Sequence, residues 1–215
     1  QVITPGAFLP AASRFGLVTQ IDRWVIHRVL RAYTHVFMQN PDLVVGLNLS
    51  ASSIADESLG DHVEQVFSDT IVKPGQVCFE MSEASFSHNL ANASRLIDHL
   101  HGIGCHVAID NFGSGLANFA TLKDLPLDFI KIDGQLIRDI GSDDVDLTMV
   151  TAINKMAHLL NIRTVAENLD SELVLDRLNM IGVDYAQGFY LGDLKPLDSL
   201  GDSVADHSVA EFQLH

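Results

Sequence analysis

The chain has 215 residues, 47% of them hydrophobic, with a formal net charge of -15, which suits one sizeable globular domain. No apolar run approaches the ~20 residues of a membrane-spanning helix, and the first residues do not read as a basic-then-apolar leader. The acidic excess argues against an anionic membrane or a nucleic-acid duplex as partner, and an anionic ligand would need cations to mediate its binding.

The sequence opens on Gln1 rather than Met, so the chain reads as a fragment of something longer. Residues 1–20 are punctuated by Pro5-Gly6, Pro10 and Gly16 and predict a loop with a short helix. Asp22 is placed to cap a helix whose apolar residues Trp24, Val25, Val29, Leu30 and Val36 or Phe37 recur at three- and four-residue steps, ending before Pro41. A strand follows over 43–47, stopped by Asn48-Leu49-Ser50, then a helix over about 61–69 and a turn at Lys73-Pro74-Gly75. The second strand, 77–79, is stopped by Glu80-Met81-Ser82-Glu83. A helix over about 91–101 breaks at Gly102-Ile103-Gly104.

Next comes the stretch CHVAIDNFGSGLAN, residues 105–118: a short apolar run that stops at Asp110-Asn111 and continues into a loop made pliable by Gly113 and Gly115. By itself it reads most simply as a turn with an Asp cap. A short run follows over 128–133, a long helix over about 145–160, an apolar run 162–166 ending at Glu167, a helix over 172–181 and a last strand around 183–190. The tail after Pro196 carries little signal and reads as frayed. Cys78 and Cys105 border apolar runs and read as buried, reduced thiols of a cytosolic protein.

Six apolar strands alternating with helices predict a parallel sheet covered by helices. A (β/α)8 barrel usually needs about 250 residues, so the fold class expected is α/β, a TIM-type (β/α)8 barrel with its first strand or strands missing from this chain. An open doubly wound sheet is the alternative, but no GxGxxG or GxxxxGK[ST] loop follows any strand.

Side chains two apart share a strand face. Taking the last polar residue of each strand as inward-facing gives Val44, Gly46 and Asn48; Cys78 and Glu80; His106, Ala108 and Asp110; Phe129, Lys131 and Asp133; and Val165 and Glu167. At the C-terminal end of a barrel these polar residues converge. Asn, Glu and Asp oxygens are hard ligands suited to Mg²⁺ or Mn²⁺, and Lys131 among carboxylates is stabilised as an ammonium. Five polar strand ends in one phase favour a metal-assisted site over a set of ordinary caps.

Other polar features have simpler explanations. His99 and His101, two apart on a helix, do not suit joint ligation. Residues 141–146, GSDDVD, superficially suggest a calcium loop but lack its central glycine and terminal Glu, and read as a helix N-cap. Met149 and Met156 suit packing.

With those strand ends in view, the chain resembles the EAL-domain family of bacterial cyclic di-GMP phosphodiesterases. The resemblance rests on FLPAASRFGLV, LNLSA, CFEMSE, AIDNFGSGLANFATLKDLPLDFIKIDG, TVAEN and YAQGFYLG, and extends from Pro5-Gly6 to Pro196. It implies an EAL domain over 1–197, lacking its N-terminal Glu-Ala-Leu strand, with a tail over 198–215. It implies hydrolysis of one phosphodiester bond of cyclic di-GMP, a second messenger, to the linear dinucleotide, using two Mg²⁺ or Mn²⁺ ions. Asn48, Glu80, Asp110 and Asn111 are then expected as metal ligands, and Lys131, Glu167 and Asp133 as catalytic and water-positioning residues. Glu83 is expected to anchor the loop after Asn111, and Gln187, Gly188 and Pro10 to lie on the substrate side. It also implies a homodimer, with exposed apolar residues around Leu116, Phe119 and Met149, and covalently linked upstream GGDEF or sensor domains. This domain itself is expected to be cytoplasmic and free of membrane contact, whether or not the full-length protein is anchored.

Departures from the family pattern matter to the reading. Asn111 stands where the family has a second Asp, Leu116-Ala117-Asn118 match Tyr-Ser-Ser, Ala12-Ser13 match Ala-Glu, and Asn168 and Asp170 replace a small or aromatic residue and Glu. Loss of one charge beside an ion, roughly 4 kcal/mol at ~4 Å and an effective dielectric near 20 before desolvation is discounted, leads to the expectation that cyclic di-GMP binding is kept and hydrolysis weakened or lost. A fully active phosphodiesterase is the alternative, and an enolase-like Mg²⁺ barrel enzyme a remote one.

Overall fold

The computed structural model describes residues 3–115, 119–202 and 212–213. The N-terminal helices are α1 (Pro5–Arg14), α2 (Val18–Ala32) and α3 (Thr34–Gln39), followed by β1 (Val45–Leu49), α4 (Ala51–Ile54) and α5 (Leu59–Ser68). After a 3-10 turn at Pro74–Gln76 come β2 (Val77–Ser82), α6 (Glu83–His88), α7 (Leu90–Ile103) and β3 (His106–Phe112). The rest is α8 (Phe119–Leu122), β4 (Phe129–Ile132), α9 (Gly134–Arg138), α10 (Asp144–Leu159), β5 (Arg163–Ala166), α11 (Glu172–Ile181), β6 (Tyr185–Ala186), α12 (Ser199–Asp202) and β7 (Phe212–Gln213).

The strands lie in sequence order, β1 to β6 all parallel and β7 antiparallel on β6. Sequential parallel strands with a helix in each crossover follow the (β/α)8 barrel pattern. The apolar residues divide accordingly. A large cluster that includes Leu47, Phe79, Val107, Ile109, Ile130 and Ile132 packs the sheet against its helices. A small separate cluster of Cys78, Ala108, Phe129 and Val165, with Tyr185 against it, lies on the other face. These four belong to the inward phase read from the sequence, so the period-2 pattern is realised.

Several local features differ from expectation. The first 20 residues are mostly helical, and α2 begins at Val18, ahead of Asp22. Asp22 instead accepts hydrogen bonds from Ser50 N (2.9 Å) and Ser53 Oγ (2.6 Å), tying α2 to the end of β1. The last strand shrinks to Tyr185–Ala186, because Gln187 O accepts from Leu169 N and Leu169 O from Tyr190 N, which leads the chain out of the ladder. Beyond Pro196, α12 and β7 stand where fraying was expected. Both cysteines are buried and lie outside any disulfide. No helix among the described residues is long and apolar enough to cross a membrane.

At the N-terminal strand ends one device occurs twice. Asp128, just before β4, accepts from Val107 N of β3 at 2.9 Å and faces His106 Nδ1 at 2.6 Å. Asp184, just before β6, accepts from Thr164 N of β5 at 2.7 Å and faces His158 Nε2 at 2.8 Å. Arg163 lies over the Phe129 ring, 4.3 Å from its centroid, and donates to Tyr185 Oη at 3.1 Å.

Candidate functional site at the strand ends

At the other end of the strands the polar groups converge. Glu80 on β2, Lys131 on β4 and Glu167, next after β5, are all buried. Lys131 Nζ is 2.9 Å from Glu80 Oε2, 3.1 Å from Glu167 Oε1 and 3.7 Å from Asp110 Oδ1. Gln187, next after β6, donates from Nε2 to Glu167 Oε1 at 2.6 Å. Asn48 pairs in register with Glu80 on the adjacent strand and is exposed. Glu80 also leans over β1 at Gly46, where a Cβ would overlap its carboxylate. A glycine is therefore required for that side chain to lie where it does.

The electrostatics follow from one ammonium among three acids. Burial works against the Lys131 charge, but Glu80, Glu167 and Asp110 more than offset it and raise its pKa. Burial pushes the Glu167 carboxyl up to about 7, against the pull of Lys131 and with the charge of Asp110 adding to the rise. A group poised there can hold or release a proton near neutrality.

Asp110 and Asn111 sit at an irregularity in the β3–β4 register between Ile109 and Phe112. Asn111 takes a left-handed backbone, φ 54°, which asparagine tolerates better than most residues. Its Nδ2 and backbone N donate to the two oxygens of Asp110, each at 2.9 Å. Glu83, buried at the start of α6, accepts from Gly113 N at 2.8 Å and so holds the loop that follows.

Not every expected residue joins the group. Asp133 is buried, but its carboxylate caps α9, accepting from Gln135 N at 2.7 Å, and lies beyond ion-pair reach of Lys131. A helix start directly after the strand engages one of its two carboxylate oxygens, Oδ1. Pro10 lies inside α1 and is exposed, and Gly188 follows Gln187. Phe119 is half-buried against Phe112, ring centroids 4.9 Å apart, rather than exposed, whereas Met149 is 39% exposed. Leu116, Ala117 and Asn118 lie outside the described residues.

A second grouping was missed. Asp61 and Glu64 on α5 and His99 on α7 bring ligand atoms within 4.8 Å of one another, and among the described residues theirs is the one group of three His, Cys, Asp or Glu side chains gathered so closely. Two carboxylates and an imidazole fit a divalent cation such as Mg²⁺ or Mn²⁺. The available signal was the i, i+3 spacing of Asp61 and Glu64 on one helix face; pairing His99 only with His101 hid it.

Comparison with known proteins bears on the family. The model of the EAL domain family matches residues 1–193. The chain is 34% identical over 203 residues to the cyclic di-GMP phosphodiesterase PdeF of Escherichia coli K12, covering 94% of this chain and 27% of that protein. It is 32% identical over 206 residues to the bifunctional diguanylate cyclase/cyclic di-GMP phosphodiesterase MucR of Pseudomonas aeruginosa, covering 95% of this chain and 30% of that protein. It thus spans less than a third of the length of these two relatives. Among solved structures it is similar to the PaMucR phosphodiesterase in its c-di-GMP complex, with TM-score 0.86, 31% identity, and coverage of 92% of this chain and 81% of that one.

These findings overturn the expectation of an attenuated enzyme. The Asp61, Glu64 and His99 cluster keeps all its ligand groups, with no asparagine substituted into it. The relatives and the solved structure at 31–34% identity carry the name phosphodiesterase. The charge argument at Asn111 also overlooked the backbone, since the amide serves a left-handed turn and holds Asp110. By the match over residues 1–193 and these identities, the chain belongs to the EAL domain family.

Proposed function

We propose that the chain binds cyclic di-GMP and hydrolyses one of its phosphodiester bonds, giving the linear dinucleotide, with the help of divalent cations. The observation that carries the reading is the convergence of Glu80, Asp110 and Glu167 on Lys131 at one end of the parallel strands. The names of the relatives at 32–34% identity support it.

In this reading Asn48, Glu80, Asp110 and Asn111 at the mouth, all oxygen donors, would hold two divalent ions. When bound, they lower the pKa of a water and neutralise charge developing on the phosphoryl group. The water oxygen joins phosphorus, one P–O ester bond breaks, and a proton passes to the departing ribose oxygen. Lys131 offsets the repulsion among the acids and stabilises phosphate charge. Glu167, buried, paired with Lys131 and oriented by Gln187, acts on the reacting water. Asp133 acts from the α9 cap, Glu83 steadies the loop through Gly113, and Gln187, Gly188 and Pro10 face the ligand. The EAL unit is taken as residues 1–197, with 198–215 as a tail.

A homodimer and a covalently linked diguanylate-cyclase-type domain belong to the same reading. The dimer is supported by α10, whose Val145, Met149, Met156 and Leu159 are exposed along one face at four- and three-residue spacing about Ala152. The linkage is supported by MucR, a bifunctional protein of which this chain matches 30%.

The test is to incubate the protein with cyclic di-GMP and Mn²⁺ while measuring bound ligand and linear product together. Linear product that is abolished by chelation and by Glu80→Gln is expected. Ligand binding with no product across a Mn²⁺ titration would reject hydrolysis.

A further inference from the structure

One feature of the mouth has no part in the chemistry above. Asn168, directly after Glu167, has a left-handed backbone, φ 57°. Its side chain rests on Gly134, the first residue of α9 and the neighbour of Asp133. A Cβ on Gly134 would lie 2.7 Å from Asn168 Cγ and 2.8 Å from its Cβ, closer still to the amide nitrogen. Gly134 is buried and Asn168 exposed, so the amide covers the α9 backbone from the solvent side. On either side of Asn168 the chain is tied down. Glu167 is bonded by Gln187 and paired with Lys131, and Leu169 N donates to Gln187 O at 3.0 Å while Leu169 O accepts from Tyr190 N at 3.1 Å. The left-handed turn could be made by glycine without a side chain. The amide therefore does something the turn does not require.

We propose that Asn168 is a positioning residue: packed on Gly134, its side chain fixes the spacing between the strand end bearing Glu167 and the strand end bearing Lys131 and Asp133. This rests on the hydrolytic reading of the site. Gly134 supplies the notch and Asn168 the wedge, so the two residues act as a unit. A wedge of this kind works on geometry, and geometry errors at a reacting centre fall on kcat.

Asn168→Gly keeps the left-handed turn and removes the wedge; Gly134→Ala fills the notch and displaces the wedge. Each is expected to lower kcat for cyclic di-GMP five- to tenfold with KM unchanged within twofold, and the double variant to be no worse than Asn168→Gly alone. Hydrogen exchange at the Leu169 and Tyr190 amides, measured without substrate, is expected to speed up at least fivefold in Asn168→Gly. If wild type makes no linear product, the hydrolytic reading has failed and the exchange measurement alone decides the wedge. Turnover and exchange in Asn168→Gly equal to wild type would overturn the proposal. So would losses that multiply in the double variant, or a change in KM without one in kcat. Should Gly134→Ala fail to fold, Asn168→Gly still decides.

Discussion

Lys131 Nζ lies 2.9 Å from Glu80 Oε2 and 3.1 Å from Glu167 Oε1, so one ammonium from β4 holds carboxylates delivered by β2 and β5. Removing one partner of a buried ion group leaves charge uncompensated, which typically costs about 3–5 kcal/mol. Lys131→Met should therefore destabilise the metal-free protein by roughly 3 kcal/mol in urea unfolding. A divalent cation can replace the missing charge, so Mn²⁺ should raise the melting temperature of Lys131→Met more than that of wild type. Equal metal responses would mean that these acids do not face a cation site.

A second prediction concerns the outer helices. The Ser58 hydroxyl, then the Arg23 guanidinium, hold the Asp56 carboxyl down at about 2, from 3.8. A depressed carboxylate stabilises the fold above its unfolded value and loses that contribution as pH falls from 3.8 towards 2. The full shift corresponds to about 2.4 kcal/mol at 1.36 kcal/mol per unit; partial exposure, 25% of the side chain, reduces the expectation to about 1 kcal/mol. Asp56→Asn should cost that much at pH 7, with the gap from wild type closing below pH 3. A gap independent of pH would assign the effect to packing instead.

Much of this was legible because strands impose a period of two. The inward set Cys78, Ala108, Phe129 and Val165 follows from counting back from the polar strand ends, and it forms a cluster of its own. Glu80, Asp110, Lys131 and Glu167 follow from the same count. What failed was local competition for hydrogen bonds. Asp133 lies in phase but also caps α9 through Oδ1, and Asp22 looks like a cap but serves Ser50 and Ser53, 28 and 31 residues away. The Asp61, Glu64 and His99 cluster joins two helices that only tertiary packing brings together. The Asn111 turn did leave a mark on residue type, since among the described residues the left-handed backbones outside glycine all fall on asparagines, Asn111, Asn161 and Asn168, but Asn111 was weighed only as a missing charge.

The repeated Asp device at the N-terminal strand ends yields a third prediction. Asp184 accepts from the Thr164 backbone N and Oγ1, and Thr164 is fully buried. Asp184→Ala strands that N–H, and a buried donor left unmade costs about 1–3 kcal/mol. Thermal and denaturant unfolding should show a loss near 2 kcal/mol, with turnover at the opposite end of the strands little affected. An unchanged midpoint would show that water replaces the carboxylate.

The outer cluster is testable apart from turnover. His99→Ala should remove one Mn²⁺-binding event from a calorimetric titration, or weaken it at least tenfold, since an imidazole is one of only three donors. The unfolding midpoint without metal should move little, as His99 is partly exposed and its Nε2 lies 3.5 Å from Glu64 Oε2. Identical titrations for wild type and His99→Ala would leave the cluster as ordinary surface charge.

Asn111 bears most directly on whether the site is intact. Its φ of 54° is one that Asp also tolerates, so Asn111→Asp should preserve the turn. The substitution exchanges an amide that donates to Asp110 Oδ2 for a second carboxylate facing the first. Without metal this adds like-charge repulsion at the end of β3; with metal the added charge attracts the ion. The two effects oppose each other, and the wild-type amide oxygen is already a competent hard ligand. Turnover of cyclic di-GMP by Asn111→Asp is therefore expected within about threefold of wild type at saturating Mn²⁺, a difference under about 0.7 kcal/mol in barrier. The metal-free protein should be destabilised by a few tenths of a kcal/mol to about 1 kcal/mol, as expected for exposed like charges. Parallel Mn²⁺ titrations of rate for the two proteins decide the matter. A gain of ten-fold or more in Asn111→Asp would show that the amide limits the site after all.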